Sequence, residues 1–267
     1  MRIVVCAKQV LDPDAVNNYA LVGKLEIGED GKSLTQASIP RLMNANDEQA
    51  IEAALRMRDA GQDITLTVIT LGGDDVDDML KHAAALGADE VARVDVDPAG
   101  LDHNGVACVL AAYIGSIGGA DLILCGRQAS DDDQGLVPGM LGELLKAPVI
   151  TIARSVEAAD GKATVVRVAP DGDETVEATL PALVTISNEL GEARYPTMKA
   201  KMQARKRTPT VVILESLDVP GDELSRKTAL TKQFVPEVSG DCEMIEAGSA
   251  AVAAGALLEK LRGENII

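Results

Sequence analysis

Three short runs constrain this chain more than any other feature: RIVVCA (2–7), DLILC (121–125) and ALVTIS (182–187). Each is apolar on both faces of an extended strand. Such strands must be covered on both sides, which is the pattern of a parallel sheet between two layers of helices. DITLTVITL (63–71) and EVARVDV (90–96) add two more strands, the first closed by Gly72 and Gly73.

Helical periodicity fills the gaps. Asn46 and Asp47 precede a segment whose positions 50, 51, 54 and 55 share one apolar face, and Gly61 stops it. Val76, Met79, Leu80, Ala83 and Ala84 recur at helical spacing and end at Gly87. Further helices are expected near 104–118 and 138–146. Strand and helix thus alternate over the first ~150 residues, which predicts an α/β domain with a parallel sheet, right-handed connections and helices on both faces.

Beyond that point the pattern changes. Runs at 148–157, 163–169 and 174–179 are joined by Asp160-Gly161 and Asp171-Gly172, dipeptides that favour tight hairpins. A basic stretch, KAKMQARKR (199–207), is followed by one more candidate strand, 210–214. Residues 216–245, with Pro220, Gly221, Pro236 and Gly240, read as an extended arm before a last helix at 247–262. An arm of that length is expected to wrap around something else. The domains expected are therefore 1–215 and 216–267.

Composition narrows the function. Asp and Glu number 42 against 25 Lys and Arg, a net charge of −17, which disfavours nucleic acid and anionic membranes. A small nucleotide held by backbone N–H groups stays open. Phe234, Tyr19, Tyr113 and Tyr195 are the only aromatics, so a base-stacking platform is not expected. Cys6, Cys108, Cys125 and Cys242 form no CxxC pair. No apolar stretch reaches the ~20 residues of a membrane helix, and the opening run is too short for a signal peptide, so a cytoplasmic chain without membrane insertion is expected.

Three segments can carry chemistry. CGRQASDDDQGLVPG (125–139) lies at the carboxyl end of a strand and just before a helix, where open α/β sheets bind ligands. Gly126, Gly135 and Gly139 allow close backbone approach, and a helix start offers N–H donors to an anion. It is neither a GxGxxG turn nor a Walker A loop. Its aspartates, 131 to 133, equally fit a metal, a helix cap or a plain solvated loop. Lys8, after Cys6-Ala7, and Leu71-Gly72-Gly73 would join this loop at one crevice if strands 2–7, 63–71 and 121–125 are adjacent. ISNELGEARYPTMKAKMQARKR (186–207) reads as a docking element with Met198 as apolar anchor, or as a solvated surface helix. His82 and His103 lack a nucleophile partner and read as surface residues, the second in a polar loop.

Four segments, taken together and in order, resemble the electron transfer flavoprotein beta-subunit family: IVVCAKQVLDP at the start, MNANDEQAIEAAL (43–55), CGRQASDDDQG (125–135) and TISNELGEARYPTMKAKMQARK (185–206). The resemblance runs from residue 1 to about 215. It implies a Rossmann-like domain of the adenine nucleotide alpha hydrolase type with a carboxyl-terminal arm packed on an alpha subunit. It implies a heterodimer in which FAD is shared with that alpha subunit, while this chain holds AMP or a second FAD. Electrons would pass from flavin dehydrogenases, such as acyl-CoA dehydrogenases, to a quinone oxidoreductase or similar acceptor. The chain would be a carrier subunit with no catalytic residues and no metal.

The family's nucleotide contacts map onto Cys6, Ala7, Asn44, Asp47, Leu71, Gly72, Gly126, Arg127, Gln128, Asp131, Asp133, Gln134, Gly135, Leu136 and Val137. Its docking loop maps onto Arg194, Tyr195, Pro196, Thr197 and Met198. Two departures matter. Many bifurcating members carry DGDTAQVGP where this chain has DDDQGLVPG, so Asp132 replaces a glycine beside the expected pyrophosphate, which favours AMP. The usual anchor, Leu or Ile, is here Met198. A homodimeric adenine-nucleotide sensor is the alternative, although it leaves the arm and the docking segment unexplained. A nucleotide hydrolase would need an SGGxDS-like loop near residue 10, which is absent.

Overall fold

The doubly apolar runs lie at the centre of the sheet in the computed structural model, which describes residues 1–235 and 242–267. Residues 236–241 of the expected arm, with Pro236 and Gly240, lie outside the described residues. The chain divides into two units, Met1–Gln233 and Phe234–Ile267.

In the first unit the elements follow in chain order. They are β1 (Arg2–Cys6), β2 (Gln9–Leu11), α1 (Pro13–Leu21), β3 (Arg41–Met43), α2 (Ala45–Asp59), β4 (Thr65–Leu71), α3 (Asp77–Leu86) and β5 (Glu90–Asp95). Then come α4 (His103–Ser116), β6 (Leu122–Gly126), α5 (Leu136–Leu145), β7 (Val149–Ala159), β8 (Lys162–Ala169), β9 (Gly172–Thr179), β10 (Ala182–Ile186), α6 (Met198–Ala204) and β11 (Thr210–Ile213). Among the described residues, the large sheet has nine strands in the order β11-β5-β4-β1-β6-β10-β7-β8-β9. The expected α/β class and the mostly parallel sheet are both observed. β1 pairs in parallel with β4 on one side and β6 on the other. The chain runs outward through β4 and β5, then returns to the far side of β1 with β6, so the strand order reverses between β1 and β6.

Side-chain alternation sorts the core into two layers. Ile3, Val5, Leu66, Val68, Leu122 and Leu124 pack with Ile51 and Ala54 of α2 and Leu80 and Ala83 of α3. Val4, Cys6, Ile69, Ile123, Cys125 and Leu183 face the other way, against Val109, Leu110 and Tyr113 of α4 and Leu141 of α5. Nearly all of this core is Val, Ile, Leu, Ala and Met.

The hairpins at Asp160-Gly161 and Asp171-Gly172 form as the dipeptides predict. β7, β8 and β9 are antiparallel and extend the sheet to a free edge at β9. Acids on β9 pair inward with bases: Asp173 with Arg154 at 2.8 Å, Glu177 with Lys162 at 3.0 Å and Glu174 with Arg167 at 3.6 Å.

Two parts differ from the sequence reading. α1 and the β2–β3 ladder form within a stretch without apolar periodicity; Asp12 caps α1, with its carboxylate accepting from Asp14 N–H at 3.0 Å. His103 is the first residue of α4 rather than part of a loop, because Asp102 caps that helix and accepts from Gly105 N–H at 3.1 Å.

Residues 217–228 pack with the first unit. Leu217, Val219 and Leu224 join the α4 layer. The backbone N–H groups of Lys227 and Thr228 donate to Asp102 at 2.6 and 3.0 Å. In the second unit, α7 (Ala250–Gly263) is capped by Ser249 and has no buried residue. Among the described residues, no helix is long and apolar enough to cross a membrane.

Candidate functional site

β1, β4 and β6 are neighbours, so the loops after Cys6, Leu71 and Gly126 meet at one edge, beside the point where strand order reverses. Open α/β sheets bind ligands there.

Asp47 organises this crevice from the third position of α2. It is 6% exposed. One carboxylate oxygen accepts from Lys8 N–H at 2.8 Å, the other from Gly126 N–H at 2.9 Å, so one side chain joins the ends of β1 and β6. Burial pushes its carboxyl up to about 7, against the opposing effect of those N–H groups. Gly126 is required by this approach: a Cβ there would lie 2.4 Å from the Asp47 oxygen.

The 127–135 loop is tied to the start of α2. Asn44 and Asn46 both donate to the Gln128 carbonyl, at 2.9 and 3.0 Å, and Ser130 N–H donates to Asn44 at 3.3 Å. Lys8 Nζ reaches Asp131 at 2.7 Å and Asp132 at 3.5 Å, while His103 lies 3.3 Å from Asp132. Burial tends to raise the Asp132 carboxyl, but Lys8, Gln134 N–H and His103 outweigh it and hold it below the usual carboxylate range. The added acid at 132 is therefore compensated within the chain. Asp133 accepts from the Gln128 side chain at 2.9 Å. No aspartate caps α5; its cap is Gly135, at φ 60°, with no side-chain bond to the first helical N–H groups. A Cβ at Gly135 would lie 2.6 Å from the Arg127 carbonyl oxygen.

Beside this loop is a cavity of about 250 Å³ lined by Arg127, Gln128, Gln134, Gly135, Thr151 and Thr185, among others. Ile152 also lines it and holds a φ of 63°, which a β-branched residue rarely adopts. Its N–H donates to Thr185 Oγ1 at 3.0 Å.

The predicted crevice residues are thus brought together. Cys6 and Cys125 are register partners and buried. A hydrogen bond with Cys6 and burial hold the Cys125 thiol well above its ordinary range, which fits an inert core thiol. Leu71 and Gly72 sit one strand over, and Gly72 has a φ of 155° with its carbonyl accepting from Arg93 at 3.1 Å. Leu136 and Val137 open α5. Among the described residues, no group of three or more His, Cys, Asp or Glu could hold a metal ion.

The 194–198 segment divides by role. Tyr195 is 89% exposed and Met198, first residue of α6, is 73% exposed. Thr197 caps α6, accepting from Ala200 N–H at 3.1 Å. Arg194 instead turns inward, donating to Glu52 at 2.7 Å and to Asp59 at 2.7 Å.

A family model described as the electron transfer flavoprotein domain matches residues 33–216. Caffeyl-CoA reductase-Etf complex subunit CarD of Acetobacterium woodii is 32% identical over 271 residues, covering all of both chains. Electron transfer flavoprotein beta subunits of Megasphaera elsdenii, 30% identical, and Thermoanaerobacterium thermosaccharolyticum, 32% identical, also match over their whole length and all of this chain. The chain belongs to the electron transfer flavoprotein beta-subunit family. These relatives are named as electron transfer flavoprotein beta subunits and as a subunit of a reductase-Etf complex.

For this beta-type chain, sequence reasoning put Asn46 and Ser130 within the crevice segments but not the contacts by which they brace it, and it missed His103. Asn46, Ser130 and His103 join the loop by contacts 29–86 residues apart in sequence. Glu52 was missed as well, and its only signal was an acid flanked by Ile51 and Ala53 in a helix.

Proposed function

We propose that this chain is the nucleotide-holding, partner-facing subunit of an electron transfer flavoprotein. It pairs with an alpha subunit, shares that subunit's FAD, and passes electrons between flavin dehydrogenases and an acceptor such as a quinone oxidoreductase. The crevice between β1 and β6 holds AMP. The observation that carries this reading is the meeting of the ends of β1 and β6 on Asp47, beside an α5 start whose N–H groups no side chain caps. That donor set suits a phosphate. Leu136, Val137 and Gly135 would hold the phosphate through backbone. Asn44 and Asp47 would shape the crevice, and Arg127 would add one cation.

FAD supplies the one- and two-electron chemistry when bound. The residues of this chain contribute binding and orientation. Tyr195 and Met198 are the partner contacts, because they are large, exposed and only three residues apart. A second reading has FAD in the crevice in place of AMP. The compensation of Asp132 by Lys8 and His103 favours it, since it removes the electrostatic objection to a pyrophosphate.

The test is to purify the chain with its alpha subunit, release the nucleotides and count them. One FAD and one AMP per heterodimer support the first reading. Two FAD support the second. One FAD and no other adenine nucleotide would overturn both.

A further inference from the structure

One face of α2 is a polar stripe. Gln49, Glu52, Arg56 and Asp59 fall three or four residues apart, so they line up along the helix. All four reach the chain between 190 and 194. Gln49 donates to the Gly191 carbonyl at 3.2 Å, and Arg56 donates to the carbonyls of Leu190 and Glu192 at 2.8 and 3.2 Å. Glu52 accepts from the Arg194 backbone N–H at 3.2 Å and from its guanidinium at 2.7 and 3.3 Å. Asp59 accepts from the same guanidinium Nη2 at 2.7 Å.

Leu190 anchors the start of the segment in the core, and the turn before it is closed by Leu190 and Gly191 N–H groups. Among the described residues, the backbone of 192–196 takes part in no backbone–backbone hydrogen bond. It lies between the turn at Asn188–Leu190 and α6. Its path is set by α2 side chains, and Glu52 is the buried one, 6% exposed. Burial tends to raise the Glu52 carboxyl, but bonds from Arg194 and Arg56 outweigh it and keep it below the usual range, so it stays charged. A buried ion pair is a poor source of stability compared with apolar packing, and its best-attested use is to fix one arrangement among several. Here the arrangement fixed is that of Tyr195, one residue on, and Met198, four residues on.

We propose that Glu52 is a positioning residue for partner docking: through Arg194 it holds Tyr195 and Met198 in the geometry that a dehydrogenase meets. This rests on the reading of 194–198 as the docking segment. Without Glu52 the segment samples other paths. A tip that is competent for about a tenth of the time raises the apparent KM for the partner about tenfold and leaves kcat unchanged.

The experiment uses the heterodimer and an acyl-CoA dehydrogenase reduced by its acyl-CoA. Glu52→Gln, Arg194→Gln, the double variant and Met198→Ala are compared with the parent. The readouts are hydrogen exchange of amides 190–198, thermal melting, and electron-transfer rate against dehydrogenase concentration. The expected result is faster exchange at 190–198 in Glu52→Gln and a raised KM with unchanged kcat. The double variant should be no worse than either single one, because the two side chains act as one unit. Unchanged exchange at 190–198 overturns the proposal. So does faster exchange with normal KM while Met198→Ala raises KM, which leaves the docking segment intact but denies Glu52 its role. A normal KM in both Glu52→Gln and Met198→Ala sinks the docking reading itself and the proposal with it. Should Glu52→Gln fail to fold, Arg194→Gln, on the exposed side of the pair, carries the same comparison.

Discussion

Asp47→Asn tests the crevice at its centre. The carboxyl of Asp47 is pushed by burial from 3.8 up to about 7. Between those values the folded chain keeps a proton that the unfolded chain has released. Stability from this group therefore falls as pH rises from about 4 to 7 and is level above that. Three pKa units correspond to about 4 kcal/mol, of which about 2 kcal/mol lies between pH 5 and 7. Asparagine does not titrate. Its NH2 group must face the N–H of either Lys8 or Gly126, at a cost of about 1–3 kcal/mol. Urea unfolding of the full chain and of Asp47→Asn at pH 5, 6, 7 and 8 gives the difference directly. The variant should be the less stable at pH 5, and the gap should close by about 2 kcal/mol by pH 7. A gap that stays constant across this range would refute the argument, and would mean that the two N–H donors keep Asp47 ionised throughout.

Other outcomes follow from the same geometry. Gly126→Ala drives a methyl against Asp47 and the backbone of Asn46; it should cost about 2–4 kcal/mol and lower the melting temperature by about 4–15 °C. Gly115→Ala, in α4 with nothing within 4 Å of the new Cβ, should instead raise stability by about 0.5–1 kcal/mol in the same melting assay. Gly135→Val should abolish nucleotide retention through gel filtration, since φ 60° and the Arg127 carbonyl both exclude the side chain, whereas Arg127→Ala should weaken retention only modestly. Met198→Ala should slow reduction by a dehydrogenase partner by about 1–2 kcal/mol of binding and leave melting unchanged, because Met198 is already 73% exposed.

The sheet was legible because its central strands are apolar on both faces, and β6 ends at a glycine and β4 just before one. α1 was not, because none of its residues is buried and no stripe marks it; its one clear signal was Asp12 before Pro13. The crevice could be placed from strand ends alone, since Cys6, Leu71 and Gly126 had to share an edge once β1 lay between β4 and β6. What held the crevice together could not. Asp47 to Gly126 and Glu52 to Arg194 link residues 79 and 142 apart, and periodicity says nothing about which distant N–H a buried carboxylate will meet. Acids inside helix faces, at 47 and 52, were the available hint.

The free edge at β9 has a consequence for how copies of this chain behave at high concentration. An exposed edge strand is a template for further strand addition, and long edges of this kind invite assembly into fibres. Here the outermost strand carries Asp173, Glu174 and Glu177, while the bases that answer them lie further in, on β7 and β8. A second copy approaching edge-on meets acid with acid before any backbone bond can form. The ordering of charge, acid outside and base inside, makes the rim self-avoiding, and exchanging the acids of β9 with the bases of β7 and β8 would keep every ion pair yet still leave like charges facing one another, now basic.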